Sequence, residues 1–384
     1  MAQTDAAQTT RRLGVLIGGS GLVGGTIVNY FKSRTTAPID ILAPSSKKLS
    51  IREPADIKSY LTTVKPDFII NTAIANIDSD SQMSYEINYS GPINLAMTAA
   101  ELNIPYIHLS SAATLKTGQN IDETQTREFS HKMSNYAKTK LMTEKTLEYL
   151  HKKAGLDYSC IRLSVVYGNH DHKIQGFHRM LFSIADESMP FLFTSKGVHH
   201  SYSNCRKLPY FIHHMIDNRQ EFSGQTYNFA DRLHVNLPDL ILTIKSYLQL
   251  RRPYEIYVPY QMANIGKRCT SALLRVMRNF GLKANLPPEL IFIRNFYTTQ
   301  TLNTDKLQGS SFEDPMPNET VYTRMPDMVI YYLTRWSQQN LITTYDEEIR
   351  SDGTFEQDFK HRPEILLEQM HKSISAGTSN TEIK

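Results

Sequence analysis

Two rhythms of hydrophobic and polar residues alternate along the first half of the chain. Short apolar runs at Leu13–Ile17, Ile39–Leu42, Phe68–Ile70, Tyr106–Leu109 and the longer Tyr158–Gly168 read as buried strands. Between them, apolar residues return every three or four positions at Thr26–Ser33, Glu53–Thr63, Met83–Leu102 and in the stretch that starts at Ser134. Six such strand-and-helix units between residues 13 and 168 predict an α/β fold with a doubly wound parallel sheet. Beyond residue 168 the pattern is less regular, with a short strand at Tyr227–Phe229 and an amphipathic helix at Leu237–Leu250. The expected division is a disordered tail over 1–11 and a nucleotide-binding domain over 12–168, to which later segments return. A smaller α/β substrate lobe follows over 169–342, then a charged, partly disordered tail over 343–384.

The first apolar run leads straight into Gly18-Gly19-Ser20-Gly21-Leu22-Val23-Gly24. A buried strand, glycines at 18, 21 and 24, and a helix make a Rossmann-type turn in which a dinucleotide pyrophosphate meets backbone N–H groups, around Leu22 and Val23. A fold that selects NAD places Asp or Glu at the end of its second strand. Here Ala43-Pro44-Ser45-Ser46-Lys47-Lys48 stands instead, and serines with lysines suit a 2′-phosphate. The cofactor reading is therefore NAD or NADP, with a lean to NADP. The third strand ends in Asn71-Thr72-Ala73, small enough for the backbone to pass close to a cofactor.

Catalytic candidates sit further along. Ser111 follows the fourth strand, at the sheet edge where such folds place their chemistry. Tyr136 and Lys140 lie four apart on a helix and project from one face, where an ammonium beside the phenol favours its ionised form. Tyr149 and Lys153 repeat the spacing, as chance allows among 21 tyrosines, but have no strand-end serine placed with them.

Composition narrows the class. The 384 residues are 40% hydrophobic, with no run long enough to span a bilayer and no leader-like apolar stretch before Arg11. Three scattered cysteines, Cys160, Cys205 and Cys269, argue for a reducing compartment and a cytoplasmic location. A net charge of +4 accommodates anionic substrates and makes no case for nucleic acid. His170, His172 and His178 read as loop histidines or substrate contacts, because no carboxylate or cysteine cluster completes a metal site. Lys267, Arg268, Arg275 and Arg278 share the stretch Met262–Phe280 with Leu273, Leu274, Val276 and Met277. Such a helix lies on a membrane, covers a lipophilic pocket, or packs on its own domain with a solvated basic face; the short apolar run favours the last.

The glycine turn, the Asn-Thr-Ala strand end, Asn88, Ser111, Tyr136-x-x-x-Lys140 and Arg162-Leu-Ser-Val-Val-Tyr-Gly together resemble the extended short-chain dehydrogenases/reductases, the NAD-dependent epimerase/dehydratase family. Pro66–Asn71, Ile77-Asp78 and Leu302–Leu307 resemble dTDP-4-dehydrorhamnose reductase members, whereas Val258-Pro259-Tyr260 and Leu286–Leu290 resemble 3β-hydroxysteroid-dehydrogenase-like members. Ala112-Ala113 replace the Asp-Glu pair that the family's dehydratases carry after the Ser/Thr, so the acid and base for water elimination are absent. The resemblance implies hydride transfer at a carbonyl or hydroxyl carbon. Tyr136 would exchange the proton, Lys140 would hold the nicotinamide ribose and depress the tyrosine, and Ser111 would bond the same oxygen. Gly18, Gly21 and Gly24 would line the pyrophosphate, with Ala73 and Asn88 near the adenosine and nicotinamide ends. The expected enzyme is a reductase or epimerase of a nucleotide-activated sugar; alternatives are a dehydrogenase of a sterol or other lipid-like alcohol, or a non-catalytic NADP-binding regulatory subunit. A homodimer is implied as well.

Overall fold

The computed structural model describes residues 11–34, 39–77, 79–186, 189–193, 197–279, 290, 293–339 and 341. The chain divides into two compact units, 1–330 and 331–384. Most of both predicted terminal tails, and Phe280, Asp78 and Leu286–Glu289, lie outside the described residues.

The first unit is built on a six-stranded sheet, every neighbouring pair parallel. In spatial order its strands are Gln225–Phe229, Tyr158–Leu163, Tyr106–Ser111, Phe68–Asn71, Arg12–Ile17 and Ile39–Leu42. Near-continuous apolar strands must be buried on both faces, and side-chain alternation sorts each between two cores. Leu16, Ile70, Ile107 and Ile161 pack with Ile27 and Phe31 of helix Leu22–Ser33 and Phe211 of helix Leu208–Asp217. Val15, Ile17, Ile69 and Cys160 pack on the other face with Ile57, Leu95 and Leu147, from helices Pro54–Val64, Gly91–Glu101 and Asn135–Ala154.

The expectation of six strands before residue 168 needs correcting. That region supplies five, and the sixth is Gln225–Phe229, returning beside Tyr158–Leu163. The run read as one long strand breaks at Ser164. There the Ser164 N–H donates to Ser203 Oγ at 2.8 Å, and Val165–Tyr167 leaves to pair with Tyr202–Asn204. Between Ser111 and Ser134, the strand Gly118–Ile121 pairs with Gln300–Leu302. A third two-stranded ribbon joins Phe191–Phe193 to Tyr254–Ile256. The helix read as Met83–Leu102 is composite: Ser81–Tyr85, a π-turn at Glu86–Ser90, then Gly91–Glu101. In the second unit, Tyr331–Gln338 is the end of a helix, with Tyr332 stacked on Trp336.

Candidate active site

The strand order reverses between Arg12–Ile17 and Phe68–Asn71, the point at which open parallel sheets bind ligands outside their carboxyl ends. The glycine turn follows the first of these strands. Gly18 has φ 89°, a left-handed conformation, and a Cβ there would stand 2.8 Å from Ala73 N. A Cβ on Gly24 would come 2.2 Å from Gly18 O, so this glycine lets helix and strand close up. Gly21 differs: its nearest neighbour would be 3.6 Å away, and it caps helix Leu22–Ser33 with no side chain over the cap and no acid in the first turn. These features fit a pyrophosphate, with Gly21 offering the open backbone and the other two glycines shaping it. Leu22 faces the neighbouring cavity, and Val23 packs into the core.

Ala73 and Asn88, expected near the cofactor, are both hydrogen-bonded to neighbouring chain. Ala73 donates its N–H to Asn71 Oδ1 at 3.0 Å. Asn88 is fully buried at the π-turn: Oδ1 accepts the Ala75 N–H at 2.9 Å, and its carbonyl accepts the Thr143 hydroxyl at 2.7 Å. Asn88 thus ties the loop after the third strand to the helix bearing Tyr136. Its Nδ2 is buried without a partner. Ser45, Ser46, Lys47 and Lys48 form an exposed turn.

Ser111 ends its strand beside Leu163, and its Oγ accepts the Ala113 N–H at 3.2 Å. Tyr136 stands in the first turn of helix Asn135–Ala154, which starts at Ser134 because that hydroxyl caps the Ala137 N–H at 3.2 Å. The Ser111 side chain lies near enough to the Tyr136 phenol to favour its ionised form, against the burial that raises it. Tyr149 and Lys153 are on the exposed end of the same helix.

Lys140 departs from the expected arrangement. It is buried and donates to Leu109 O at 2.8 Å, and burial holds its ammonium down to about 8, with Cys160 and Glu144 pulling the other way. The phenol of Tyr136 is raised above its ordinary value, first by burial, against the pull of the Ser111 side chain, with the Glu144 charge adding to the rise. Lys140, whose ammonium is turned to the strand carbonyl, is not among the groups that shift the phenol. His108 lies behind, fully buried and pushed well below its usual range by burial and by Lys140.

A buried carboxylate fixes this corner. Glu144 accepts from Ser110 Oγ at 2.5 Å, from Thr114 Oγ1 at 3.1 Å, and from Arg162 Nε and Nη2 at 3.1 and 2.9 Å. One helix residue therefore holds the strand end, the turn after Ser111 and the neighbouring strand.

Ser111 and Tyr136 open into a cavity of about 510 Å³. Sequence reasoning missed four residues on its walls: Arg127, His200, Arg294 and Gln300. Neither arginine forms an ion pair among the described residues, and the two are close enough for Arg294 to lower the Arg127 guanidinium, after burial. His200 donates Nε2–H to Asn295 O at 2.7 Å, and burial keeps the ring neutral. Gln300 Nε2 donates to Ala112 O at 2.9 Å. No periodic pattern marks these residues; they arrive from loops and from the late strand Gln300–Leu302. Ala112 and Ala113 line the cavity where the dehydratases' acid pair would stand.

Comparison with known proteins agrees with this architecture. The model of the "NAD dependent epimerase/dehydratase family" matches residues 15–228. GDP-L-colitose synthase of Yersinia pseudotuberculosis is 27% identical over 195 residues, 48% of this chain and 62% of the relative, so the match spans about three-fifths of that protein. UDP-glucose 4-epimerase of Thermotoga maritima, solved with UDP-glucose, superposes with a TM-score of 0.62 at 13% identity, over 84% of this chain and 99% of its own. dTDP-4-dehydrorhamnose reductase of Bacillus anthracis, solved with NADP, gives 0.60 at 15% identity, over 83% and 98%. At such identity the two structures speak for the fold, and the family match carries the assignment. The chain belongs to the NAD-dependent epimerase/dehydratase family.

Proposed function

We propose that this enzyme reduces or epimerises a nucleotide-activated sugar, with Ser111 and Tyr136 at the reacting oxygen. The observation that carries this reading is the pair Arg127 and Arg294, two guanidiniums without ion-pair partners among the described residues, on the wall of the cavity that holds Tyr136. A half-buried Arg127 beside an exposed Arg294 at the cavity wall suits an anion, and a diphosphate matches two planar guanidiniums by paired hydrogen bonds. A sterol gives them nothing to bond. The relative named for a GDP-linked sugar supports the same substrate class. Ala112 and Ala113 speak against dehydration, since no carboxyl stands there to move the required protons.

When bound, the nicotinamide supplies or accepts the hydride. The protein's part is alignment and proton management. Ser111 donates a hydrogen bond to the substrate oxygen, and Tyr136, kept protonated at neutral pH, gives that oxygen its proton. Lys140, fixed on Leu109 O beneath the tyrosine's helix, stands ready to hold the ribose. Exposed Lys47 and Lys48 support NADP, and the resemblance supports a homodimer, which light scattering on the purified chain checks.

Arg127→Ala and Arg294→Ala should each raise KM for the nucleotide sugar about tenfold or more, by removing a charge-assisted contact. Cofactor affinity, measured by fluorescence titration, should stay unchanged. Unchanged KM in both variants overturns the substrate class while leaving the family assignment intact.

A further inference from the structure

Helix Tyr260–Asn279 carries its larger apolar residues on the outside. Met262, Ile265, Leu273 and Val276 are 61%, 59%, 60% and 51% exposed, and Cys269 between them is exposed too. On a helix turning about 100° per residue these five fall within an arc of about 80°, along roughly 21 Å of its length. The side toward the domain holds the buried Ala263 and Leu274. A helix that only packs on its own domain has the reverse arrangement, with its widest apolar stripe inward.

Charge indicates what meets this stripe. The helix contains no Asp or Glu, and its sequence includes Lys267, Arg268, Arg275 and Arg278. Lys267 and Arg268 line a cleft of about 390 Å³ together with Arg294, and no acidic residue among the described ones lines it. The segment feeding the helix adds Tyr254 and Tyr257, 76% and 67% exposed, a residue type that settles at the boundary between headgroups and acyl chains. No helix among the described residues is long and apolar enough to cross a membrane. A helix that is polar on balance, basic on one flank and apolar on the next, lies flat in the interface.

We propose that helix Tyr260–Asn279 is a peripheral docking surface for an anionic lipid bilayer. Met262, Ile265, Leu273 and Val276 enter the acyl boundary, while exposed Arg268, about 60° round the helix from Ile265, meets the headgroups. Pairing with the same helix of a second copy is disfavoured, because it brings two sets of cations together with no acid on either helix to answer them. An anionic surface answers all of them.

The test is flotation of the full-length chain with vesicles of phosphatidylcholine alone and vesicles containing about one-third phosphatidylglycerol. Binding should be at least about tenfold greater on the anionic vesicles and fall several-fold at about 1 M salt, where the Debye length is about 3 Å. Ile265→Glu with Leu273→Glu should abolish it, and Arg268→Gln should weaken the anionic preference several-fold. Both variants replace surface residues, so circular dichroism should match the parent. Failure to bind anionic vesicles, equal binding to neutral ones, or full binding by the Ile265→Glu/Leu273→Glu variant overturns the proposal.

Discussion

Glu144 grips Arg162 with both carboxylate oxygens, at 3.1 Å to Nε and 2.9 Å to Nη2, in a pair only about 5% exposed on either side. Removing one partner of such a pair leaves an unanswered buried charge, a loss of about 3–5 kcal/mol. Glu144→Gln should lower the urea midpoint accordingly. Arg162→Met combined with Glu144→Gln should recover part of the loss, because no lone charge remains. Activity should fall in the single variant beyond the loss of folded protein, since Ser110 and Thr114 lose their common acceptor on either side of Ser111.

Tyr136→Phe removes one hydroxyl, close to Ser111 on the cavity wall. Turnover should drop by about 10²–10⁴, the usual worth of a positioned acid or base, with thermal stability nearly unchanged. Single-turnover reduction of a nucleotide sugar, followed by nicotinamide absorbance, reads this directly. Full turnover in the variant excludes Tyr136 as the proton donor.

The glycines of the turn should separate by substitution. Gly24→Ala drives a methyl to 2.2 Å from Gly18 O, backbone that has no room to move, and should cost about 1–3 kcal/mol along with most of the cofactor affinity. Gly21→Ala meets nothing closer than 3.6 Å and should fold normally, yet lose affinity because the methyl stands where the cofactor approaches. Calorimetric melting with dinucleotide titration distinguishes the two.

Asp231 is nearly buried, hydrogen-bonded by the Tyr167 hydroxyl at 2.6 Å and paired with Lys207 at 3.3 Å. Burial lifts its carboxyl to about 6, with the Tyr167 bond and Lys207 only partly offsetting the rise. The folded chain therefore holds this proton more tightly than the unfolded chain. Its stabilising contribution is full below about pH 4 and is lost as pH rises through about 6, a change of about 3 kcal/mol. Between pH 4 and 6, the melting temperature of the parent should fall relative to Asp231→Asn, which cannot titrate. Parallel curves would remove Asp231 as the source.

Local signals made much of the fold legible. Apolar strands, helical spacing and glycines placed between them fixed the parallel sheet, because each element reports its own burial. The sixth strand was misplaced because Gln225–Phe229 joins the sheet through a pairing more than 60 positions away in sequence, which no local window contains. Ser111 and Tyr136 line one cavity, as their places after a strand and at a helix start led one to expect. The fate of Lys140 was not foreseen, because helical spacing gives a face and not the acceptor that an ammonium chooses. Arg127 and His200 sit on irregular chain and Arg294 on the short 3₁₀ turn Ile293–Phe296, brought together by tertiary structure, so their convergence left no pattern in the sequence. Helix Tyr260–Asn279 was anticipated closely in extent, but its apolar stripe was assigned inward, as packing usually demands.

The late return of Gln225–Phe229 also bears on how the protein is made. Until that strand leaves the ribosome, Tyr158–Leu163 is an open sheet edge of unpaired N–H and carbonyl groups. At about 5–20 residues per second, the intervening chain takes roughly 3–12 seconds to emerge. During synthesis the molecule thus passes through a window in which a nearly complete sheet offers a sticky border to its neighbours, and chaperones that bind nascent chains would find their substrate there.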